Sequence, residues 1–222
     1  MRRGAAHRLR ALTEPARRRL RGTARRSTKD YATHIPILIA LSQHFPIEHV
    51  LELGCGTYST RLFLDATVFA TLKRLVSFDN DESWIEKISK EVGNDSRYRP
   101  HLIRGSMASI FIETSLKTFD LVFVDDPTSA EERTQTIRQL TAQKPTDVLV
   151  VIHDFEINDY RSAAAGFEHR HTFKAFTPQT GVVWNGHADR VGVIKNLQSE
   201  VKRWAKGTEP DDIEGWLKVL SR

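Results

Sequence analysis

Residues 50–64 read VLELGCGTYSTRLFL, and this stretch decides the fold. The apolar run up to Leu53 predicts a buried strand, and the residues from Ser59 onward take on the spacing of a helix. Between them stand Gly54 and Gly56, which lack a Cβ and therefore allow a ligand or another backbone to come close. A tight turn without a ligand is the alternative interpretation. A strand, a glycine turn and a helix in this order predict the first unit of a doubly wound α/β sheet.

The same alternation continues along the chain. A helix is predicted within 31–45, ahead of the first strand at 49–53. Further strands are predicted at 74–79, 101–105, 119–125 and 147–154, and helices from 59 and at 83–92, 107–116, 131–142 and 157–166. Short strands that are apolar on both faces and separated by helices are typical of a parallel sheet covered on both sides.

The C-terminal part breaks this alternation. Predicted strands at 171–176, 181–184 and 190–196 follow one another without a helix long enough for a crossover, so they must pair antiparallel. The sequence therefore predicts a mostly parallel α/β sheet that closes with a C-terminal antiparallel hairpin. We divide the chain into a basic arm at 1–30, a main domain at 31–196 and a helical extension at 197–222.

The positive charge is concentrated in the N-terminal arm. Ten arginines and Lys29 against Glu14 and Asp30 give residues 1–30 a charge of +9, which leaves −4 for the rest of a chain whose formal net charge is +5. Residues 1–27 are predicted to be a solvated, partly helical tail. Two alternatives are contact with an anionic partner, such as RNA or lipid headgroups, and a mitochondrial transit peptide.

Cys55 is the single cysteine, so an intrachain disulfide is excluded and a reducing compartment such as the cytoplasm is favoured. No apolar segment approaches the roughly 18 residues of a membrane-spanning helix. No apolar stretch follows the early arginines, which argues against a secretory signal. We therefore expect a cytoplasmic protein, or a mitochondrial one if residues 1–27 are a transit peptide.

The polar residues around the glycine turn constrain the ligand. Ser59 stands where a dinucleotide-binding G-x-G-x-x-G motif has its third glycine, which argues against a pyrophosphate. Glu52, just before the turn, favours a cationic ligand. Asp79 ends the second strand, where an acid commonly accepts hydrogen bonds from ribose hydroxyls. The predicted ligand carries a ribose and a positive charge, and lacks a diphosphate.

Four motifs together resemble the class I S-adenosylmethionine-dependent methyltransferases, over about residues 48–196. They are ELGCGT at 52–57, Asp79 in SFDND, Gly105-Ser106 and FDLVFVDD at 119–126. The resemblance implies a Rossmann-like, seven-stranded sheet and S-adenosylmethionine as the cofactor. The glycines would approach its methionine part, Asp79 its ribose, and Gly105 and Ser106 its adenine. The implied cofactor-binding residues are Glu52, Gly54, Cys55, Gly56, Asp79, Asn80, Gly105, Ser106 and Asp125. By analogy, the helix containing Tyr31 and His34 would cover the cofactor.

The strand order of that family predicts the catalytic residues. It places the strand ending at Asp125 between the first strand and the strand ending at His153 and Asp154. These side chains and Asp126 would then share one edge of the sheet beside the methyl group. Methyl transfer to a hydroxyl needs alignment and removal of a proton, and the ordinary pKa of histidine suits a base near neutral pH. We predict catalytic roles for His153, Asp125 and Asp154.

A divalent metal is a second interpretation of the same residues. Asp125, His153 and Asp154 resemble in placement the Asp and Asp-Asn metal ligands of catechol-type O-methyltransferases, and such ligands suit a divalent cation. The sequence departs from that pattern, because His153 replaces an acid and Asp154 replaces an amide. A third interpretation is a strand-end turn with a capping Asp154.

The class of acceptor can be narrowed. Cys55 lies within the glycine turn, which leaves no nucleophile for a cytosine-C5 mechanism. The sequence DDPT at 125–128 lacks the second proline and the aromatic ring of amino-methylating DNA enzymes. We therefore predict a small-molecule, sugar or peptide acceptor that is methylated on oxygen. An RNA-directed methyltransferase that uses the basic arm and a non-catalytic adapter with this fold are the alternatives.

Overall fold

The structure is a computed structural model that describes residues 30–112, 114–126 and 129–220. Within these ranges, seven strands form one sheet: β1 (His49–Leu53), β2 (Arg74–Asp79), β3 (Tyr98–Leu102), β4 (Leu121–Val124), β5 (Leu149–Ile152), β6 (His169–Phe173) and β7 (Thr180–Trp184). Their spatial order is β3-β2-β1-β4-β5-β7-β6. The first five are parallel, and β7 pairs antiparallel with both β5 and β6. The predicted mostly parallel sheet with a closing antiparallel hairpin is confirmed.

Helices connect the strands on both faces of the sheet. The α-helices are α1 (Ile35–His44), α2 (Ser59–Leu64), α3 (Glu82–Val92), α4 (Ala130–Gln143), α5 (Asn158–Ala163), α6 (Arg190–Trp204) and α7 (Ile213–Leu220). Short 3₁₀ helices lie at Asp30–Ala32, Met107–Ile112, Leu116–Thr118 and Ala164–Gly166.

The core consists of two apolar layers, one on each side of the central strands. Residues such as Phe123 pack with α1, α6 and α7, whereas their neighbours such as Val122 pack with α4, α5 and the segment 107–112. Because side chains alternate between the faces of a strand, strands covered on both sides must be apolar throughout. All residues of β4 and β5 are buried, as this requires. Trp184, at the end of β7, is buried as well.

Several predicted element bounds are wrong. The third strand is β3, at 98–102 rather than 101–105, and Pro100 within it is tolerated because β3 is an edge strand. In place of the α-helix predicted at 107–116, the described residues form a 3₁₀ helix at Met107–Ile112 and another at Leu116–Thr118, and the strand predicted at 171–176 begins at His169.

The largest error concerns residues 190–196, predicted as a strand. They begin the helix α6, in which Ile194, Leu197 and Val201 are buried. Their spacing of three and four residues is helical, but it becomes visible only beyond residue 196, where the strand prediction stopped. The predicted domain boundary at 196 falls within this helix. Residues 1–27, the predicted basic arm, lie outside the described residues.

In the part of the chain that the structure describes, no helix has the length and apolar character needed to cross a lipid bilayer.

Candidate active site

A cavity of about 520 Å³ opens at the carboxyl ends of β1, β2, β4 and β5. Its walls come from the glycine turn after β1, from the residues that follow the other three strands, and from the segment that precedes α1. The lining residues are Asp30, Tyr31, His34, Gly54, Cys55, Gly56, Thr57, Tyr58, Ser59, Asp79, Trp84, Asp125, Arg133, His153, Asp154 and Pro178. Its volume falls in the range of about 300–1,000 Å³ that is common for small-molecule sites.

The glycine turn is shaped by close contact with the end of β4. Gly54 has a φ of +90°, and a Cβ at this position would lie 2.5 Å from the backbone oxygen of Asp125. Its N–H donates to the Phe78 oxygen at 2.8 Å, and Asp125 N–H donates to the Leu53 oxygen at 2.9 Å. The backbone of Asp125 and Asp126 is therefore what excludes a side chain at Gly54. A Cβ on Gly56 would meet Ser59 Oγ at 3.4 Å, an ordinary contact.

The carboxylate of Asp79 is fixed beside this turn. Its two oxygens accept hydrogen bonds from the N–H groups of Cys55 at 3.1 Å and Asp81 at 3.0 Å. Burial raises the pKa of Asp79 above its usual value. Trp84 donates its indole N–H to the Cys55 oxygen at 2.7 Å, which holds the ring against the turn. Burial also raises the pKa of the Cys55 thiol, so this cysteine is unreactive as a nucleophile.

Glu52 lies beneath the glycine turn and does not line the cavity. Its side chain is fully buried and accepts hydrogen bonds from the hydroxyls of Thr60 and Ser77. Thr60 in turn accepts the N–H of Gly56 at 2.9 Å. Burial raises the pKa of Glu52 to about 7. The structure thus places Glu52 as a support of the turn, whereas the sequence suggested a contact with a cationic ligand.

Three other predicted cofactor residues also lie away from the cavity lining. Asn80, Gly105 and Ser106 are exposed, and Gly105 has a φ of +139°. Gly54, Cys55, Gly56, Asp79 and Asp125 do line the cavity, as do the predicted catalytic residues His153 and Asp154. The contact of Gly105 and Ser106 with an adenine therefore stays a prediction.

His153 forms a chain of contacts across the cavity wall. Its Nδ1 lies 3.1 Å from Asp125 Oδ1, and its Nε2 lies 2.9 Å from Thr33 Oγ1. Burial disfavours the imidazolium, but Asp125 and Asp154 outweigh burial and raise the pKa of His153 above its usual value. Burial likewise opposes the charge of Asp125, but His153 and Arg133 lower its pKa to about 2. When His153 is protonated, it therefore forms an ion pair with the partly buried Asp125.

Arg133, which was not among the predicted site residues, joins the three acidic residues of this edge. Its guanidinium nitrogens lie 3.2 Å from Asp125 Oδ1, 3.2 Å from Asp126 Oδ1 and 3.1 Å from Asp154 Oδ2. A capping box between Ser129 and Glu132 fixes the start of α4 and so places Arg133 in its first turns. This S-x-x-E motif is the feature of the sequence from which the position of Arg133 could have been predicted, because it starts α4 soon after the end of β4.

The segment before α1 covers the same edge. The His34 side chain is 2% exposed, and its ring centroid lies 4.8 Å from that of Phe123 and 5.0 Å from that of His153. Burial and the neighbouring His153 lower the pKa of His34 to about 3, so its ring is neutral. Tyr31, 59% exposed, lies at the mouth of the cavity. The segment therefore lies over this edge of the cavity, and its covering of a cofactor stays a prediction.

Solved structures with a similar fold were found for the chain. Human methyltransferase-like protein 13, in complex with SAH, aligns with a TM-score of 0.51 and 14% identity, over 82% of this chain and 94% of that one. Monomeric WbdD aligns with a TM-score of 0.51 and 18% identity, over 73% and 42% of the two chains. Spermidine synthase, in complex with the transition-state analogue AdoDATO, aligns with a TM-score of 0.51 and 14% identity, over 87% and 72%.

This chain has the class I methyltransferase fold. Identities of 14% to 18% establish the architecture alone. No protein-family model matches the sequence, and no curated protein matches it either. The strand order that the resemblance implied, with β4 between β1 and β5, is confirmed.

In this class I methyltransferase fold, the ion pair of His153 gives stability a defined pH dependence. The folded pKa of His153 lies above the ordinary 6.5 of the unfolded chain, so the pair stabilises fully below pH 6.5. The contribution of this ion pair to the free energy of unfolding is lost as pH rises through the pKa that His153 has in the folded protein. We expect the stability difference between the wild type and His153→Gln, measured by urea denaturation, to shrink from pH 6 to pH 9. The exposed His44→Gln is the control, and a difference that grows with pH would contradict the pairing.

Proposed function

We propose that this protein is an S-adenosylmethionine-dependent methyltransferase that methylates an oxygen of a small-molecule, sugar or peptide acceptor. The observation that carries the proposal is the position of Asp79 beside the Gly54–Gly56 turn, with both lining one cavity. This is the arrangement that the family resemblance requires for the ribose and the methionine part of the cofactor. The complex of human methyltransferase-like protein 13 with SAH, a structure of the same fold, supports this choice of ligand.

The charges of the cavity favour a cationic ligand. Its lining includes the four carboxyl groups of Asp30, Asp79, Asp125 and Asp154, against Arg133 and the paired His153. An excess of acidic groups in a concave site attracts cations and repels polyphosphates. The sulfonium and ammonium groups of S-adenosylmethionine match this field, and a dinucleotide does not.

The proposed cofactor contacts use groups that the protein already holds in place. Oδ2 of Asp79 accepts both the N–H and the thiol of Cys55, whereas Oδ1 accepts the N–H of Asp81 and has a second lone pair for a ribose hydroxyl. Trp84, fixed by its bond to the Cys55 oxygen, offers an apolar surface beside that ribose. Because these groups are immobilised before binding, little conformational entropy would be lost when the cofactor enters.

The proposed reaction is an in-line displacement at the methyl carbon. The acceptor oxygen forms the new C–O bond while the S–CH₃ bond breaks, and the electron pair stays on sulfur, which leaves S-adenosylhomocysteine. The acceptor hydroxyl gives its proton to a base, and His153 in its neutral form is our candidate. Nε2 of His153 contacts Thr33, so the acceptor must displace the Thr33 hydroxyl to reach this nitrogen. Asp125, at Nδ1, would orient the ring and stabilise the imidazolium that forms.

Asp79→Ala tests the cofactor assignment. We expect the variant to bind S-adenosylmethionine and S-adenosylhomocysteine about 1–3 kcal/mol more weakly, the usual effect of losing a hydrogen bond to a charged or buried partner. The affinity is measured by isothermal titration calorimetry of the full-length protein. Exposed Asp159→Ala is the matched control, and thermal melting of both variants verifies that they are folded. Equal affinity of wild type and Asp79→Ala would refute the ribose contact, and a folded wild type without affinity would refute the proposed function.

A further inference from the structure

Three side chains from separate parts of the chain converge on one wall of the cavity. His34 precedes α1, Asp125 follows β4 and His153 follows β5. Each offers one potential metal-ligand atom, and these atoms all lie within 4.8 Å of one another. The set contains two imidazoles and one carboxylate. His34 therefore takes the place that the sequence analysis gave to Asp154, whose Oδ2 lies 3.1 Å from Arg133.

The ring of His34 points to an additional binding partner. Both of its nitrogens are buried, and neither forms a hydrogen bond with any residue that the structure describes. A buried polar group without a partner costs about 1–3 kcal/mol, so a native protein normally satisfies it. A metal ion bound to one of these nitrogens would remove that cost.

The surrounding charges suit a divalent cation. An imidazole binds a metal only in its neutral form, so His153 must first lose any proton. In that form, Asp125, Asp126 and Asp154 against the single Arg133 leave two negative charges in a largely buried cluster. His153 Nδ1 and a guanidinium nitrogen of Arg133 both contact Oδ1 of Asp125. A cation would therefore bind the other carboxylate oxygen, Oδ2. A bound ion of charge +2 would balance the cluster.

We propose that His34, Asp125 and His153 bind a divalent transition-metal ion of the Zn²⁺ type. Imidazole ligands select Zn²⁺ and its first-row neighbours, whereas Mg²⁺ and Ca²⁺ prefer sites made of oxygen alone. His153 would bind through Nδ1 and keep its Nε2–H on the Thr33 hydroxyl, the usual outer contact of a metal-bound imidazole. Bond lengths of about 2.1 Å put tetrahedral ligands about 3.4 Å apart, so binding draws the three side chains closer together.

Three protein ligands leave at least one coordination position open toward the cavity. A solvent molecule or an acceptor oxygen could occupy it. In the second case the metal would polarise a hydroxyl nucleophile and lower its pKa. This would replace proton removal by His153, which as a ligand with a protonated Nε2 could not also act as the base. This catalytic consequence rests on the proposed function, whereas metal binding itself does not.

The test is a titration of the full-length, chelator-treated protein with Co²⁺, followed by visible absorption, and with Zn²⁺ by calorimetry. We expect one ion per chain with d–d bands of nitrogen and oxygen coordination. His34→Gln and Asp125→Asn should each weaken binding at least tenfold, and thermal melting verifies that both variants are folded. The control is His187→Ala, which removes the exposed histidine paired with Asp147 and Asp189. Cys55→Ser excludes a thiolate ligand from the same cavity.

The outcomes separate the proposed site from the alternatives. Binding that is lost in His34→Gln and Asp125→Asn but kept in His187→Ala and Cys55→Ser supports the site. Binding that His34→Gln leaves unchanged, Mg²⁺ affinity equal to that for Zn²⁺, or no saturable binding by the wild type would overturn it. The titrations contain no S-adenosylmethionine, so their failure leaves the cofactor assignment standing.

Discussion

Gly54→Ala should lower the free energy of unfolding by about 2–5 kcal/mol and abolish ligand binding to any protein that still folds. The residue has a φ of +90°, and forcing a side chain into a left-handed conformation costs about 1–2 kcal/mol. Its new Cβ would also lie 2.5 Å from the Asp125 oxygen and 2.8 Å from Asp126 Cα, both backbone atoms. Overpacking of this kind adds about 1–3 kcal/mol. Urea denaturation and calorimetry with S-adenosylhomocysteine measure the two effects.

Gly93→Ala separates the contribution of the clash from that of the backbone conformation. Gly93 has a φ of +68°, and a Cβ there would meet no atom within 4 Å. Gly93→Ala should therefore lower the free energy of unfolding only by the cost of placing a side chain at a positive φ, and it should keep full ligand affinity. If the two variants were equally destabilised, the contact between the glycine turn and the end of β4 would be unimportant. That result would also remove the reason why Gly54 in particular must be glycine.

The sequence was sufficient to predict the parallel part of the sheet and the edge at which the candidate site residues meet. The central strands β4 and β5 are apolar on both faces, a pattern typical of a doubly covered parallel sheet, and parallel strands bring their carboxyl ends to one edge. Asp79, Asp125 and His153 each lie at or directly after such an end, so their convergence followed from the connectivity. The glycine turn was recognised for the same reason.

The remaining features depend on contacts that sequence periodicity does not encode. Arg133 lies on an amphipathic helix, where an arginine is normally solvated, and only the approach of α4 to the end of β4 buries it. Glu52 is the penultimate residue of β1 and Asp79 is the last of β2, but the hydroxyls of Thr60 and Ser77 hold Glu52 beneath the turn. Thr33 reaches His153 across 120 residues of sequence. These are pairwise tertiary contacts, which a single sequence without structural information does not specify.

Arg133→Ala should be the other severe substitution, with a loss of about 3–5 kcal/mol of unfolding free energy, the range for removing one partner of a buried ion pair. Asp125, Asp126 and Asp154 would then face one another without their shared guanidinium. The matched control is Arg138→Ala, an exposed arginine on the same helix, which carries the same change in helix propensity without the buried charges. Urea denaturation of both variants at pH 7 measures the difference.

The pH dependence of that loss identifies its cause. Arg133 helps to keep the pKa of Asp125 at about 2, so without it the carboxyl groups of the cluster take up protons at higher pH. The difference in unfolding free energy between the wild type and Arg133→Ala should therefore shrink as pH falls from 7 toward 4, because protonation removes the uncompensated negative charge. If that difference were the same at both pH values, packing of the arginine side chain against Tyr160, whose ring centroid lies 5.6 Å from the guanidinium carbon, would account for the loss instead. The acidic cluster would then need no central cation, and the proposed balance of charges at this edge of the sheet would be wrong.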